Sequence, residues 1–174
     1  FFLNQQFKWL ILGYFILFIF INIDYKIFKK IAYLLLISSW IIMIMGFFFK
    51  GNNPASRWLI INGKSWMTTS DLARISLIIF TSFYIDNYNK YINDWKFLLK
   101  SYTPFLLITL SIILYQPDTS TTITIFIIII TMLFIANANW KYLATLISLG
   151  LFGLGLKILH TPYALFRLIN WNDN

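Results

Sequence analysis

The sequence predicts an all-α fold, a polytopic membrane helix bundle with about six transmembrane helices. Three observations carry that reading: an apolar excess, a shortage of charge and a regular spacing of long apolar runs. Of 174 residues, 59% are hydrophobic and 11% charged, where a soluble domain has roughly 45–50% and about 25%. Aromatic side chains make up 20% of the chain, and mean hydropathy is +0.73. A water-facing surface covered by so few charges would be largely bare. The composition is too apolar for disorder, and the absence of Cys excludes a disulfide scaffold.

The runs can be taken in order against the ~20 apolar residues that a helix needs to cross the hydrocarbon. Spans are expected at 7–23, 31–49, 72–85, 97–115, 119–136 and 143–159, within one transmembrane domain covering 1–174. The first two are separated by the basic stretch Asp24-Tyr25-Lys26-Ile27-Phe28-Lys29-Lys30. The segment 50–71 reads as a loop, opening with the turn-forming Gly51-Asn52-Asn53-Pro54 and continuing into an aromatic and basic stretch. The third span holds Ile75-Ser76-Leu77-Ile78-Ile79-Phe80, and 86–96 after it is polar with interleaved Tyr88, Tyr91 and Trp95, as at a headgroup interface. The fourth has Pro104 in its first turns and Lys100 near enough to its end to snorkel. The fifth includes Ile127-Ile128-Ile129-Ile130, and the sixth contains Gly150, Gly153 and Gly155, read as permitting close helix packing.

The net charge is +8. The cations stand singly between apolar runs, a pattern that fits anionic headgroups rather than nucleic acid. Lys and Arg fall seven on each side of the membrane, so charge asymmetry alone leaves orientation open. With one His and no Cys, no metal site is expected, and no cofactor is evident.

Polar residues at the ends of apolar spans carry the functional weight. The first group is Arg57-Trp58 with Thr68-Thr69-Ser70-Asp71-Leu72-Ala73-Arg74. Ser70 or Thr69 can cap the third helix, while Asp71 and Arg74, three apart, can pair. Two readings stand: a capped helix with a local ion pair, or a polar cluster placed to hold an anionic headgroup. The second group is Gln116-Pro117-Asp118, followed by Thr119, Ser120, Thr121 and Thr122. Asp118 or a following hydroxyl caps the fifth helix, and a carboxylate so near hydrocarbon needs a partner, for which Arg57 or Arg74 is a candidate. The third group runs from His160-Thr161-Pro162-Tyr163 to Arg167 and Trp171, an interfacial amphipathic segment.

The order of these groups resembles the SEDS family (shape, elongation, division and sporulation), the polytopic peptidoglycan polymerases that include FtsW and RodA. Arg57-Trp58, Gly63 and Ser70-Asp71-Leu72-Ala73-Arg74 are similar to the family's Arg-Trp, Gly-rich patch and Gln-Pro-Ser-Glu-Leu-Ala-Lys, with both charges kept by Asp71 and Arg74. Gln116-Pro117-Asp118-Thr119-Ser120-Thr121 resembles its Gln-Pro-Asp-x-Gly-Thr, with Ser120 in place of Gly. Pro162-Tyr163 and Arg167-Leu168 resemble its Pro-Tyr-Arg-Leu-x-Arg-Leu, with Ala164 in place of the first Arg, and Ile23-Asp24-Tyr25-Lys26 its basic loop.

The resemblance implies polymerisation of lipid II on the outer face of the bacterial cytoplasmic membrane, in division or elongation, with the division type slightly favoured. It implies the 24–30 loop on the cytoplasmic side, with Arg57, Asp71 and Asp118 facing outward. The chain would be a piece of a roughly ten-helix fold, cut at both ends. The family's catalytic Asp would then lie beyond Asn174, and this segment alone would be inactive. Arg57, Arg74 and Arg167 would bind the polyprenyl diphosphate of the substrate. Trp58, Ser70, Asp71, Gln116, Asp118 and Thr121 would support them. The implied partners are a class B penicillin-binding protein and other membrane proteins of the divisome or elongasome. The alternative functions are a multi-pass lipid flippase or transporter, or a non-catalytic membrane scaffold. A transporter calls for charges near the midplane and interrupted helices in a repeat, whereas these charges cluster at helix ends.

Overall fold

Each long apolar run becomes helix in the computed structural model, which describes residues 2–48, 58–61, 64–116 and 118–160. Helices α1 (Phe2–Ile21) and α2 (Tyr25–Phe48) are joined at 22–24, where Asp24 Oδ1 accepts from the Lys26 N–H at 3.0 Å and starts α2. Strands β1 (Trp58–Ile61) and β2 (Lys64–Thr68) pair antiparallel, Trp58 opposite Thr68 and Ile61 opposite Lys64. This hairpin departs from the loop expected over 50–71. Its signal was present: a β-prone Trp58-Leu59-Ile60-Ile61 followed in sequence by Asn62-Gly63, the dipeptide that best suits a tight hairpin turn. The other described elements are helical, as expected.

Helix α3 (Thr69–Asn87) follows β2 directly, and a 3-10 turn at Asn89–Tyr91 leads to α4 (Trp95–Ser101) and α5 (Thr103–Tyr115). Asp94 caps α4, its Oδ1 accepting from the N–H groups of Lys96 (3.0 Å) and Phe97 (3.3 Å). The expected fourth span, 97–115, is therefore two helices, bent by 49° at Tyr102. Pro104, in the first turn of α5, has no N–H for the preceding turn and its ring crowds the carbonyl there, so the straight helix cannot continue.

Helices α6 (Thr119–Ile135) and α7 (Trp140–His160) are joined by a left-handed cap. Asn137 has φ 57°, the Ala138 N–H donates to Leu133 O (3.0 Å) and the Asn137 N–H to Phe134 O (3.0 Å). These two bonds make a Schellman ending, in which Asn is the usual substitute for Gly. Asn137→Gly is expected to be neutral or slightly stabilising. Asn137→Val should cost about 1–2 kcal/mol, read as a lowered melting temperature in detergent.

Helix α2 packs most extensively on α3, which in turn packs on α6. Phe80, Tyr102, Leu106 and Ile129 are fully buried at the centre. Interhelical polar bonds supplement the packing, as bundles in lipid require. Trp40 Nε1 donates to Thr109 Oγ1 (2.9 Å), and the hydroxyls of Thr81 and Tyr102 (2.6 Å) and of Thr103 and Tyr142 (2.9 Å) bond to one another.

Over Tyr25–Gly46 α2 is long and apolar enough to cross a bilayer, and α4 with α5 reach that length if the bent pair is one span. At 1.5 Å per residue, the 17 residues of α6 reach only about 25 Å of a roughly 30 Å core. Helix α1 is apolar on all sides and packs on little, with Trp9 69%, Phe15 62% and Phe18 67% exposed. Water does not tolerate such a surface on a stable helix, whereas lipid or a covering protein does.

The bundle has two distinct ends. At one, Lys29 Nζ bonds Asp86 Oδ2 at 2.5 Å and Asn139 Nδ2 donates to Asn93 O at 2.9 Å. These contacts gather the starts of α2, α4 and α7 with the end of α3. The first turn of α3 and the α5–α6 joint lie at the other end.

Candidate functional site

The first turn of α3 meets the Gln116–Asp118 joint in a buried polar knot. Thr69 Oγ1 donates to Gln116 Oε1 (3.1 Å), and Ser70 Oγ donates to Asp118 Oδ2 (2.7 Å). Gln116 Nε2 donates to the carbonyl of Met43 in α2 (3.0 Å), and Asp118 Oδ1 accepts from the Thr121 N–H (3.3 Å), capping α6. Gln116 is fully buried and Asp118 is 5% exposed. From α7, Lys157 Nζ donates to Leu114 O (2.9 Å) and feels the Asp118 carboxylate electrostatically. Five helices thus meet around one amide and one carboxylate, and buried polar groups are tolerable when so satisfied.

At the edge of this knot Arg74 Nη2 donates to Asp71 Oδ1, and Thr68 Oγ1 donates to Asp71 Oδ2. Arg74 and Asp71 are part-exposed, 36% and 49%. A guanidinium fixed on a helix and open on one side is suited to a phosphate oxygen. No group of His, Asp or Glu among the described residues is placed to hold a metal ion.

Several expectations need correction. Thr69 and Ser70 do not cap α3: the helix begins at Thr69, its N-cap Thr68 makes no side-chain cap bond, and both hydroxyls reach across to the next joint instead. The cap of α6 is as expected: of the two candidates, Asp118 or a following hydroxyl, it is Asp118. Of the two arginines expected beside Asp118, Arg74 is engaged by Asp71 and Arg57 lies outside the described residues; among the described residues Ser70 Oγ donates to Asp118 and Lys157 feels its charge. Arg57 and Arg167 lie outside the described residues, and so does the side chain of Trp58, whose backbone begins β1. The segment from residue 161 onward is also outside them.

Lys157 was not picked out by the sequence reading. The signal available was that it is the only Lys, Arg, Asp or Glu between Lys141 and Arg167, and a lone cation in an apolar helix requires a partner.

Of the three glycines, only Gly150 serves close packing: a Cβ there would lie 2.5 Å from the Phe126 ring, while Gly153 and Gly155 face open space. Beside that ring lies an apolar cavity of about 160 Å³ between α5, α6 and α7, lined by Leu110, Leu114, Leu146 and Gly153 among others. Gly150→Ala should be close to neutral, because the ring can turn into the cavity and helix propensity is gained. Gly150→Leu should cost about 1–3 kcal/mol by overpacking, with recovery when Phe126→Ala is added. Denaturation midpoints of the two single variants and the double variant check this.

The described residues form a helical bundle with one helix, or two if the bent pair is one span, long and apolar enough to cross a bilayer. The family profile for FtsW/RodA/SpoVE, described as cell cycle protein, matches residues 1–174. The chain belongs to that family. Among curated proteins, it is 33% identical over 149 residues to the probable peptidoglycan glycosyltransferase FtsW of Aliivibrio salmonicida, covering 83% of this chain and 36% of that protein. It is 27% identical to the protein of the same description from Geobacter metallireducens, covering 98% of this chain and 43% of the relative. The corresponding protein of Escherichia coli is 27% identical, with 99% and 42% covered. The chain thus spans less than half the length of these relatives. No solved structure gives a significant match.

Proposed function

We propose that this chain forms the substrate-holding part of a peptidoglycan glycosyltransferase that polymerises lipid II at the outer face of the bacterial cytoplasmic membrane. The observation that carries the proposal is the buried knot of Thr69, Ser70, Gln116 and Asp118, which fixes the first turn of α3 and so sets Arg74 at the open edge. Polymerisation expels a polyprenyl diphosphate from the glycosyl donor as an acceptor hydroxyl attacks. That needs a base at the hydroxyl and positive charge where the diphosphate leaves. Arg74 supplies such a charge, with Arg57 and Arg167 as further candidates, and Asp71 orients the guanidinium by its bond to Arg74. None of the described residues is assigned as the base.

In this reading the Lys29–Asp86 end faces the cytoplasm and the knot faces outward, the helices cross the membrane, and a class B penicillin-binding protein is the partner. The names of the relatives, all FtsW, favour division over elongation. The test is the full-length protein in proteoliposomes with labelled lipid II. Glycan chains on gel electrophoresis support the reading. Movement of lipid II across the bilayer without any polymer would support the transporter instead.

A further inference from the structure

The end of the bundle opposite the polar knot carries a groove that the polymerase reading does not use. The end of α1, the start of α2 and the length of α3 from Ile75 onward leave an open furrow of about 810 Å³, floored by Phe20, Phe28, Ile75, Ile78 and Ile79. It shares Tyr25, Lys29, Phe83 and Asp86 with a neighbouring hollow of about 450 Å³ whose rim adds Lys26 and Lys30. Lys29 is paired with Asp86 at 2.5 Å, whereas among the described residues Lys26 and Lys30 have no carboxylate partner. An apolar floor that opens onto two unpaired ammonium groups matches one chemistry: an acyl chain attached to a phosphate.

We infer that this furrow is a binding site for an anionic phospholipid, with one acyl chain along the Ile75–Ile79 face of α3 and the phosphate at Lys26 and Lys30. The inference rests on the membrane-embedded reading given above, and in that orientation it places the lipid in the cytoplasmic leaflet. A charged headgroup selects the site because each basic side chain near an anionic surface contributes to attraction, and the salt-bridged Lys29–Asp86 pair contributes little net charge. The acyl chain supplies the remaining affinity by covering the exposed Phe20 and Ile75 and the part-exposed Phe28 and Ile78.

The experiment uses the chain reconstituted in phosphatidylcholine vesicles with a trace of phosphatidylglycerol carrying a photoactivatable acyl chain, and then with the phosphatidylcholine analogue. Labelled peptides are mapped by mass spectrometry. The expected result is labelling within 75–85 and 20–28 that is stronger for phosphatidylglycerol. Lys26→Gln and Lys30→Gln should each lower that labelling about fivefold. Lys141→Gln, at the same end of the bundle but on α7, should leave it unchanged. Ile78→Trp, which fills the furrow, should lower labelling by both lipids at these peptides. Equal labelling by the two lipids, or labels spread evenly over α1, would overturn the inference while leaving the membrane reading intact. Release of the chain from the vesicles by alkaline washing would overturn both.

Discussion

Asp118→Ala is expected to destabilise the bundle by about 3 kcal/mol. The carboxylate accepts from the Thr121 N–H and from Ser70 Oγ, and it lies near the ammonium of Lys157. A lost helix cap costs about 1 kcal/mol, and a lost buried hydrogen bond to a charged group about 1.5–3 kcal/mol. Asp118→Asn keeps one acceptor oxygen for the Thr121 N–H and presents an amide N–H to Ser70 Oγ, which can turn to accept it, so it should cost about 1 kcal/mol. The check is a double-mutant cycle on Asp118→Asn and Lys157→Met, followed by denaturation in detergent micelles. A coupling of about 1 kcal/mol or more is expected for neighbouring charges in a partly buried site. If Asp118→Ala melted like the unsubstituted protein, the knot would not be holding the joint.

Arg74→Gln in the full-length protein should lower lipid II polymerisation about a hundredfold while moving the melting temperature little. The stability effect is small because Arg74 and Asp71 form a part-exposed pair, worth about 0.2–1 kcal/mol. The effect on rate is larger because a cation at the departing diphosphate acts where charge develops, and removing such a group typically costs about 10²–10³ in kcat. The loss should appear in kcat more than in KM, since an interaction realised mainly in the transition state does not weaken substrate binding. Arg74→Lys should recover part of the rate, because an ammonium still carries the charge but lacks the planar fork. A rise in KM alone would make Arg74 a binding residue. Unchanged kinetics would remove it from the site.

How much could be read from the chain itself differs from element to element. The helical class and the positions of α1, α2, α3, α6 and α7 follow from hydropathy, since the long apolar runs, bounded by polar residues, have few solutions other than helix. The break at Tyr102 is half visible in the sequence: Pro104 fits the opening turns of a long helix, and its missing N–H also makes it a natural start for a new one. The hairpin has a local signal in Asn62-Gly63 and the β-prone Trp58–Ile61 ahead of it, set within a long polar and aromatic segment that also suits a loop.

The motif residues were also visible in the sequence, but their partners were not. Thr69 and Ser70 just ahead of Asp71 suit a helix cap by local rules, and those rules extend only a few residues. Their bonds run instead to Gln116 and Asp118, 47 and 48 residues away. Asp118 required a partner on energetic grounds, yet nothing in its neighbourhood could say whether that was an arginine, a serine or a lysine.

Which segments are helical, which residue types crowd the helix ends, and the family to which their order belongs are all legible in the chain alone, because hydropathy, capping and motif spacing are local properties. That Gln116 reaches the Met43 carbonyl, that Lys157 feels the charge of Asp118, and that Lys29 closes on Asp86 beside an open furrow became visible only in the folded bundle. Those pairings depend on how helices far apart in the chain rotate and slide against one another. That is settled by side-chain packing summed over the whole bundle, with no single stretch of sequence carrying it.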